Sequence, residues 1–176
     1  MVTTARVKRM ADTQFISELM LVILEDSILG FDQDQLDVLY AKYDDEPEES
    51  EVDFSEEDFT KKMAGIRSYV LKLEEKNAVS LYAGSFVHFY TLWCVLALNL
   101  ASVKAMSPAE VSSRYDSFMG KVEKLAAEKD LEKFIKADSK NAYKAALTYY
   151  SNARGASTDL KPRQERYNVL KRQLLG

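Results

Sequence analysis

Two side chains in this sequence have the chemistry of a nucleophile or a base, the single histidine His88 and the single cysteine Cys94. They lie six residues apart in a strongly apolar segment that we predict to be helical, and this spacing does not put them on one face. A Cys–His nucleophile pair is therefore disfavoured. We interpret His88 as a hydrogen-bonded histidine of the core or its rim, with a role as a base as the less favoured alternative. One histidine also excludes a metal site built on two histidines.

Two acidic patterns have some of the features of a cation site. Glu74-Glu75-Lys76 has the E-x-K spacing of some metal nucleases, but it ends a predicted helix, whereas such nucleases need a strand and a partner acid. Residues 44–58 carry ten acids and no base, yet they lack the spaced Asp/Asn-Gly turn of a calcium loop. We interpret residues 44–55 as an acidic loop that faces solvent or a partner. Since no glycine-rich phosphate loop is present either, we predict no catalytic residue, no metal and no cofactor.

Basic residues are concentrated at the two ends of the chain, although the net charge is −4. Near the carboxyl end they alternate with Tyr149, Tyr150 and Tyr167, a combination that suits contact with a nucleic-acid backbone and stacking on bases. The alternative is that these groups form solvated helix faces or pair with acids of the body. The candidate nucleic-acid-binding residues are Arg6, Lys8, Arg9, Arg154, Lys161, Arg163 and Arg166.

Apolar residues recur at spacings of three and four along most of the chain, which predicts an all-α fold. We expect one domain over residues 1–176, with a basic lead segment at residues 1–11 and about seven helices in a bundle. The helix near residues 85–100 is apolar nearly all round, which indicates that it is the buried centre of the bundle.

Several helix ends are predicted from capping residues. Ser55 with Asp58, and Ser107 followed by Pro108 and Glu110, are N-terminal signatures. We also expect Asp12 to cap a first helix that runs to Leu29 and stops at Gly30. Residues 78–83 are predicted to be a short extended connector.

A cytoplasmic location is expected from three features of the chain. A single cysteine allows no intrachain disulfide, which fits a reducing compartment. The sequence has no recognisable signal peptide. Its most apolar segment, residues 86–100, is shorter than the roughly 20 residues needed to span a bilayer, so no membrane contact is expected.

Four segments in order resemble one protein family. They are residues 9–19 (RMADTQFISEL), Tyr40-x-x-Tyr43-Asp44, Phe86-x-His88-Phe89-Tyr90-x-Leu92, and Ser157-Thr158-Asp159 followed by Arg163-x-x-Arg166. This pattern resembles the helical region behind the ParB-like nuclease fold of GmrSD-type proteins, which are modification-dependent, anti-phage restriction proteins of bacteria. The residues that carry the motif are Arg9, Asp12, His88, Phe89, Tyr90 and Asp159.

The resemblance implies a non-catalytic part of such a protein. The Asp-Gly-Gln-Gln-Arg-like turn of the ParB-like domain and the HNH-type nuclease domain are both absent from this sequence. The resemblance therefore implies a fragment that acts as a scaffold and contacts a ParB-like domain in cis, DNA or a second copy. The alternative is a stand-alone helical adaptor or self-associating module, which the wide apolar face of residues 13–29 favours.

Overall fold

The computed structural model describes residues 11–30, 33–44, 54–75, 77–137 and 141–176. Over these residues the regular structure is entirely helical, which confirms the predicted all-α fold. The described helices number nine rather than about seven. They are α1 (Ala11–Leu24), α2 (Gln33–Asp44), α3 (Glu56–Glu74), α4 (Phe86–Leu98), α5 (Leu100–Lys104), α6 (Pro108–Ala127), α7 (Leu131–Ala137), α8 (Lys144–Asn152) and α9 (Leu160–Leu175).

Helix α4 is the centre of the bundle, as its uniformly apolar sequence predicts. All eight residues from Tyr90 to Ala97 are buried, and the helix packs against α1, α3 and α9. Complete burial of one large apolar side chain contributes about 1.5–3 kcal/mol, so α4 supplies a large part of the hydrophobic stabilisation. The indole N–H of Trp93 donates to the carbonyl of Leu19 at 2.9 Å and fixes α1 on α4.

The clearest capping signals are confirmed. Ser55 Oγ accepts from the backbone N–H of Asp58, and Ser107 Oγ accepts from that of Glu110, both at 3.2 Å. After α3, Asn77 adopts the left-handed conformation with φ of 53°. Since these contacts span three residues or fewer, the local sequence is sufficient to specify them.

The predicted ends of the first helix are wrong at both sides. The described helix begins at Ala11, so Asp12 lies in its first turn rather than at the N-cap. It ends at Leu24, and Asp26 then adopts a positive φ of 46°. Gly30 does not stop the helix but allows a close approach of α9, because a Cβ there would lie 3.1 Å from the backbone nitrogen and the Cβ of Leu160.

Two further predictions near α4 are corrected. The central helix breaks at Asn99, whose side-chain amide donates to the carbonyl of Val95 and to the hydroxyl of Tyr167, both at 3.0 Å; α5 follows as a separate helix. The predicted extended connector 78–83 consists of turns instead. There Val79 and Tyr82 are buried, and burial of such side chains favours the compact path over an extended one.

Helix α2 packs at the edge of the bundle. Lys42 Nζ and Tyr43 Oη both donate to the carboxylate of Glu25, at 2.7 and 2.8 Å, and tie α2 to the end of α1. Residues 1–10 of the basic lead segment and residues 45–53 of the acidic loop lie outside the described residues. None of the helices in the described ranges is both long and apolar enough to cross a membrane.

Candidate functional site

Two arginines are buried in the interior of the bundle. Arg163 and Arg166 lie one turn apart on α9, and only 5% and 1% of their surfaces are exposed. Together with Glu18 of α1 and Thr91 of α4 they form a group that we call the arginine cluster. A buried charge is costly unless it is paired and hydrogen-bonded, so the partners of each guanidinium decide what the cluster can do.

Arg163 has a full charge partner. Its Nη2 donates to the buried carboxylate of Glu18, and its Nη1 donates to the carbonyl of Leu29 at 2.8 Å. The guanidinium carbon lies 4.1 Å from the centre of the Tyr90 ring, a cation–π arrangement. The Nε of Arg163 is buried and makes no hydrogen bond to a residue that the structure describes. Arg163 therefore joins α1, α4 and α9 as part of the core.

Within the described ranges, Arg166 is hydrogen-bonded to neutral groups only. Its Nε donates to the hydroxyl of Thr91 at 3.2 Å, and its Nη1 donates to the carbonyl of Asn152. Thr91 in turn donates to the carbonyl of Val87 at 2.8 Å. Burial lowers the pKa of Arg166 from its ordinary value, but a guanidinium stays protonated at neutral pH. The arginine cluster thus holds two cations and one carboxylate.

His88 lies beside the arginine cluster. Its Nδ1 is 3.1 Å from the hydroxyl of the fully buried Tyr149, in agreement with the predicted hydrogen-bonded histidine. Burial, with a smaller contribution from the positive charge of Arg166, lowers the pKa of His88 to about 4. His88 is therefore neutral at pH 7.

Protonation of His88 is expected to destabilise the protein in acid. The unfolded chain binds the proton at a pH near 6.5 and the folded protein only near 4, so the stabilisation is complete above about pH 6.5 and is lost as the pH falls towards 4. The loss should reach about 2–3 kcal/mol. Urea unfolding at about pH 7 and pH 4.5 should show a smaller loss for His88→Asn than for the wild type; equal losses would contradict a half-buried, neutral histidine.

Cys94 is also held in an unreactive state. The side chain is buried, and burial raises the pKa of its thiol to about 12. Because the thiolate is the nucleophilic form, this thiol is inert at neutral pH. In the described part of the chain, no three His, Cys, Asp or Glu side chains are grouped so as to hold a metal ion.

A cavity of about 200 Å³ adjoins the arginine cluster. Three of the four segments that carry the family resemblance supply its walls. The lining residues are Gln14, Phe15 and Glu18 from the first segment, Phe86, Val87 and Tyr90 from the third, and Ser157, Thr158, Arg163 and Arg166 from the fourth.

A second concave surface, the α1–α2 groove, lies on the other side of α1. It has a volume of about 380 Å³ and mostly apolar walls, formed by Ser17, Met20, Leu21, Leu24, Leu39, Tyr40 and Tyr43. Tyr40 and Tyr43 belong to the second segment of the resemblance. Ile16 lies one turn before Met20 on α1 and is 55% exposed, and Tyr40 is 40% exposed.

The structure changes the role of two predicted nucleic-acid-binding residues. Arg163 and Arg166 are buried and bonded inside the protein, so they are not available to the phosphates of DNA in this conformation. Arg154 and Lys161 are exposed, and the guanidinium of Arg154 lies 5.3 Å from the Tyr150 ring centre. Contact of these two with DNA stays a prediction. Arg6, Lys8 and Arg9 lie outside the described residues.

The motif residues are distributed over three helices. Asp12 lies on α1, whereas His88, Phe89 and Tyr90 lie on α4. Asp159 is the N-cap residue of α9 but makes no side-chain cap hydrogen bond. Phe89 packs on the core at 6.2 Å between ring centres from Trp93. Of this set, Tyr90 contacts the arginine cluster directly, and Arg9 lies outside the described residues.

Sequence reasoning missed Glu18 and Thr91. Glu18 is the one charged residue between Asp12 and Glu25, in an otherwise apolar helix, and a lone charge of this kind is a signal for a buried partner. Thr91, in the middle of the apolar α4, gives a similar signal. Neither signal identifies the partner.

The fold and the arginine cluster define the class of this protein as an all-α helical bundle with a buried ion pair and a second buried arginine at its centre. Comparisons with protein-family models, with curated proteins and with solved structures found no match.

Proposed function

We propose that this chain is a non-catalytic helical module that binds another protein domain through the α1–α2 groove. The observation that carries the proposal is the apolar surface of α1 and α2. Ile16, Met20 and Leu24 follow one another at intervals of four residues on α1, and the α1–α2 groove runs beside them. Apolar residues in such a continuous arrangement are typical of a protein–protein contact.

A second apolar cavity strengthens this interpretation. About 270 Å³ in volume, it lies on the opposite flank of α1 and is lined by Phe15, Ile16, Leu19 and Phe86, among others. Helix α1 is thus a ridge between two apolar depressions. A partner that covered the ridge would bury Ile16 and Tyr40 together, and aromatic and aliphatic anchors of this kind supply most of the binding energy in interfaces.

We assign the partner to a ParB-like domain of the same protein, because the chain resembles the helical region of GmrSD-type restriction proteins. The resembling segments supply residues to both concave surfaces, which supports a shared architecture. A domain joined ahead of residue 1 would be linked to α1 by ten residues, a reach of at most about 36 Å, so it could lie directly on this ridge. The scaffold would then position that domain. The exposed residues Arg154 and Lys161 of the scaffold would stay the candidates for contact with DNA.

The test is a binding measurement between this chain and the ParB-like domain of a GmrSD-type restriction protein. The double variant Ile16→Asp/Tyr40→Asp should weaken the complex at least about tenfold, because two carboxylates would be desolvated at the contact. Leu71→Asp is the matched control, since Leu71 is 57% exposed on α3 and lines neither depression. It should leave the affinity unchanged.

Two results would overturn the proposal. Equal affinity of the double variant and the wild type would show that the ridge is not the docking surface. The second result is a dimer in sedimentation experiments that Ile16→Asp/Tyr40→Asp dissociates and Leu71→Asp does not. It would show that a second copy of the chain, rather than a ParB-like domain, covers the ridge.

A further inference from the structure

The cavity beside the arginine cluster contains an excess of positive charge. Arg163 is neutralised by Glu18, but the hydrogen bonds of Arg166 go to Thr91 and to the carbonyl of Asn152, which carry no charge. His88, whose pKa is lowered in part by the charge of Arg166, is neutral at pH 7 and adds no negative charge. One buried guanidinium therefore has no counter-charge among the described residues.

Arg166 also has unused hydrogen-bonding capacity. A guanidinium carries five N–H donors, and the described contacts use only Nε and Nη1. The Nη2 group of Arg166, with two donors, makes no hydrogen bond to a described residue. The side chain is 99% buried and lines the cavity, so an acceptor placed there would meet both a charge and free donors.

Two hydroxyl groups of the cavity wall suit a small anion, those of Ser157 and Thr158. The amide of Gln14 is already donated to the carboxylate of Glu18, and the remaining wall is mostly aromatic and aliphatic. The 16-residue helix α9 begins two residues after Thr158, and its dipole adds positive potential there, which the carboxylate of the N-cap residue Asp159 offsets in part. At about 200 Å³ the cavity is below the roughly 300–1,000 Å³ of sites for drug-sized ligands, so it fits a compact group.

We propose that this cavity binds a phosphate group, as free inorganic phosphate or as the phosphate of a small ester. Arg166 is the charged donor and offsets one negative charge of the ligand, while the hydroxyls of Ser157 and Thr158 donate to its remaining oxygens. The bound phosphate supplies the counter-charge that the protein lacks. It also joins the loop before α9 to the α1–α4 pair, so its binding stabilises the fold.

The test is a titration of the whole chain with inorganic phosphate at constant ionic strength and pH 7, followed by calorimetry and by the thermal midpoint. We expect saturable binding with a dissociation constant of about 1 mM or tighter, and a midpoint that rises with phosphate concentration. Arg166→Gln should weaken binding at least about tenfold, because a charge-assisted hydrogen bond is lost. Arg172→Gln is the control, since Arg172 is an exposed arginine on the same helix, and it should bind like the wild type.

A second variant keeps the test decisive if Arg166→Gln does not fold. Ser157→Ala/Thr158→Val changes only the edge of the cavity and should weaken binding about fivefold while the protein remains folded. Competition by adenosine monophosphate separates the two sources: displacement of phosphate by the ester assigns the site to a phosphate ester, and no displacement assigns it to free phosphate. Absence of saturable binding, or equal affinity of the edge variant and the wild type, would overturn the proposal.

Discussion

Replacement of Glu18 by alanine is expected to destabilise the protein by about 3–5 kcal/mol. Among the described residues, the carboxylate of Glu18 is the only charge partner of the buried Arg163, and its removal leaves that guanidinium with a neutral acceptor, the carbonyl of Leu29. This loss is a large fraction of the 5–15 kcal/mol that ordinarily stabilises a domain. Urea unfolding followed by circular dichroism measures it as a lower midpoint with the slope retained.

The surface ion pair of Lys62 with Asp26 provides the matched control. Its charges are 2.8 Å apart, but the Asp26 side chain is largely exposed to water, so Asp26→Asn should cost less than about 1 kcal/mol. The double variant Glu18→Leu/Arg163→Met should recover most of the stability lost in Glu18→Ala, because it removes both buried charges together. A cost below about 1 kcal/mol for Glu18→Ala would mean that water or another group solvates Arg163.

The second large effect is expected at the centre of α4. Leu92→Ala should lower the free energy of unfolding by about 2–5 kcal/mol, because Leu92 is fully buried where α4 packs against its neighbours and its loss leaves a cavity. Chemical unfolding of the purified variant measures this difference directly. The result tests whether α4 is enclosed by the other helices at the centre of the core.

Leu71→Ala is the control for this substitution. Both changes remove the same atoms from a helix, but Leu71 on α3 is largely exposed, so its replacement should change the stability by less than about 0.5 kcal/mol. Equal effects at the two positions would contradict the packing of α4 described above.

The sequence was sufficient for features that depend on near neighbours along the chain. The cap at Ser107 is one example, since its side chain bonds a backbone group three residues away. The buried position of α4 is another, because a helix without a polar face is stable only where other elements cover it on all sides. The all-α class follows from the apolar residues that recur at spacings of three and four along most of the chain.

The ends of α1 and α4 depended on contacts that no local pattern encodes. The apolar pattern extends through Leu29, yet α1 ends at Leu24, and the carbonyl of Leu29 accepts hydrogen bonds from Tyr90 and Arg163. Asn99 interrupts the central helix, and its amide reaches Tyr167 on α9. In both cases partners far along the chain contact the backbone or side chain where the regular helix stops.

The role of the arginines was decided by tertiary structure alone. In the sequence, Arg163 and Arg166 are basic residues on a polar helix next to tyrosines, a pattern found both on solvated helix faces and on nucleic-acid-binding faces. Glu18 lies 145 residues away from Arg163, and folding brings the carboxylate of the first into contact with the guanidinium of the second inside the core. Sequence alone therefore determined that the chain is helical, where its clearest caps lie and that α4 is covered on all sides. Which charges are buried, and with which partners, depends on desolvation and pairing between distant segments, and these are fixed only when the helices pack.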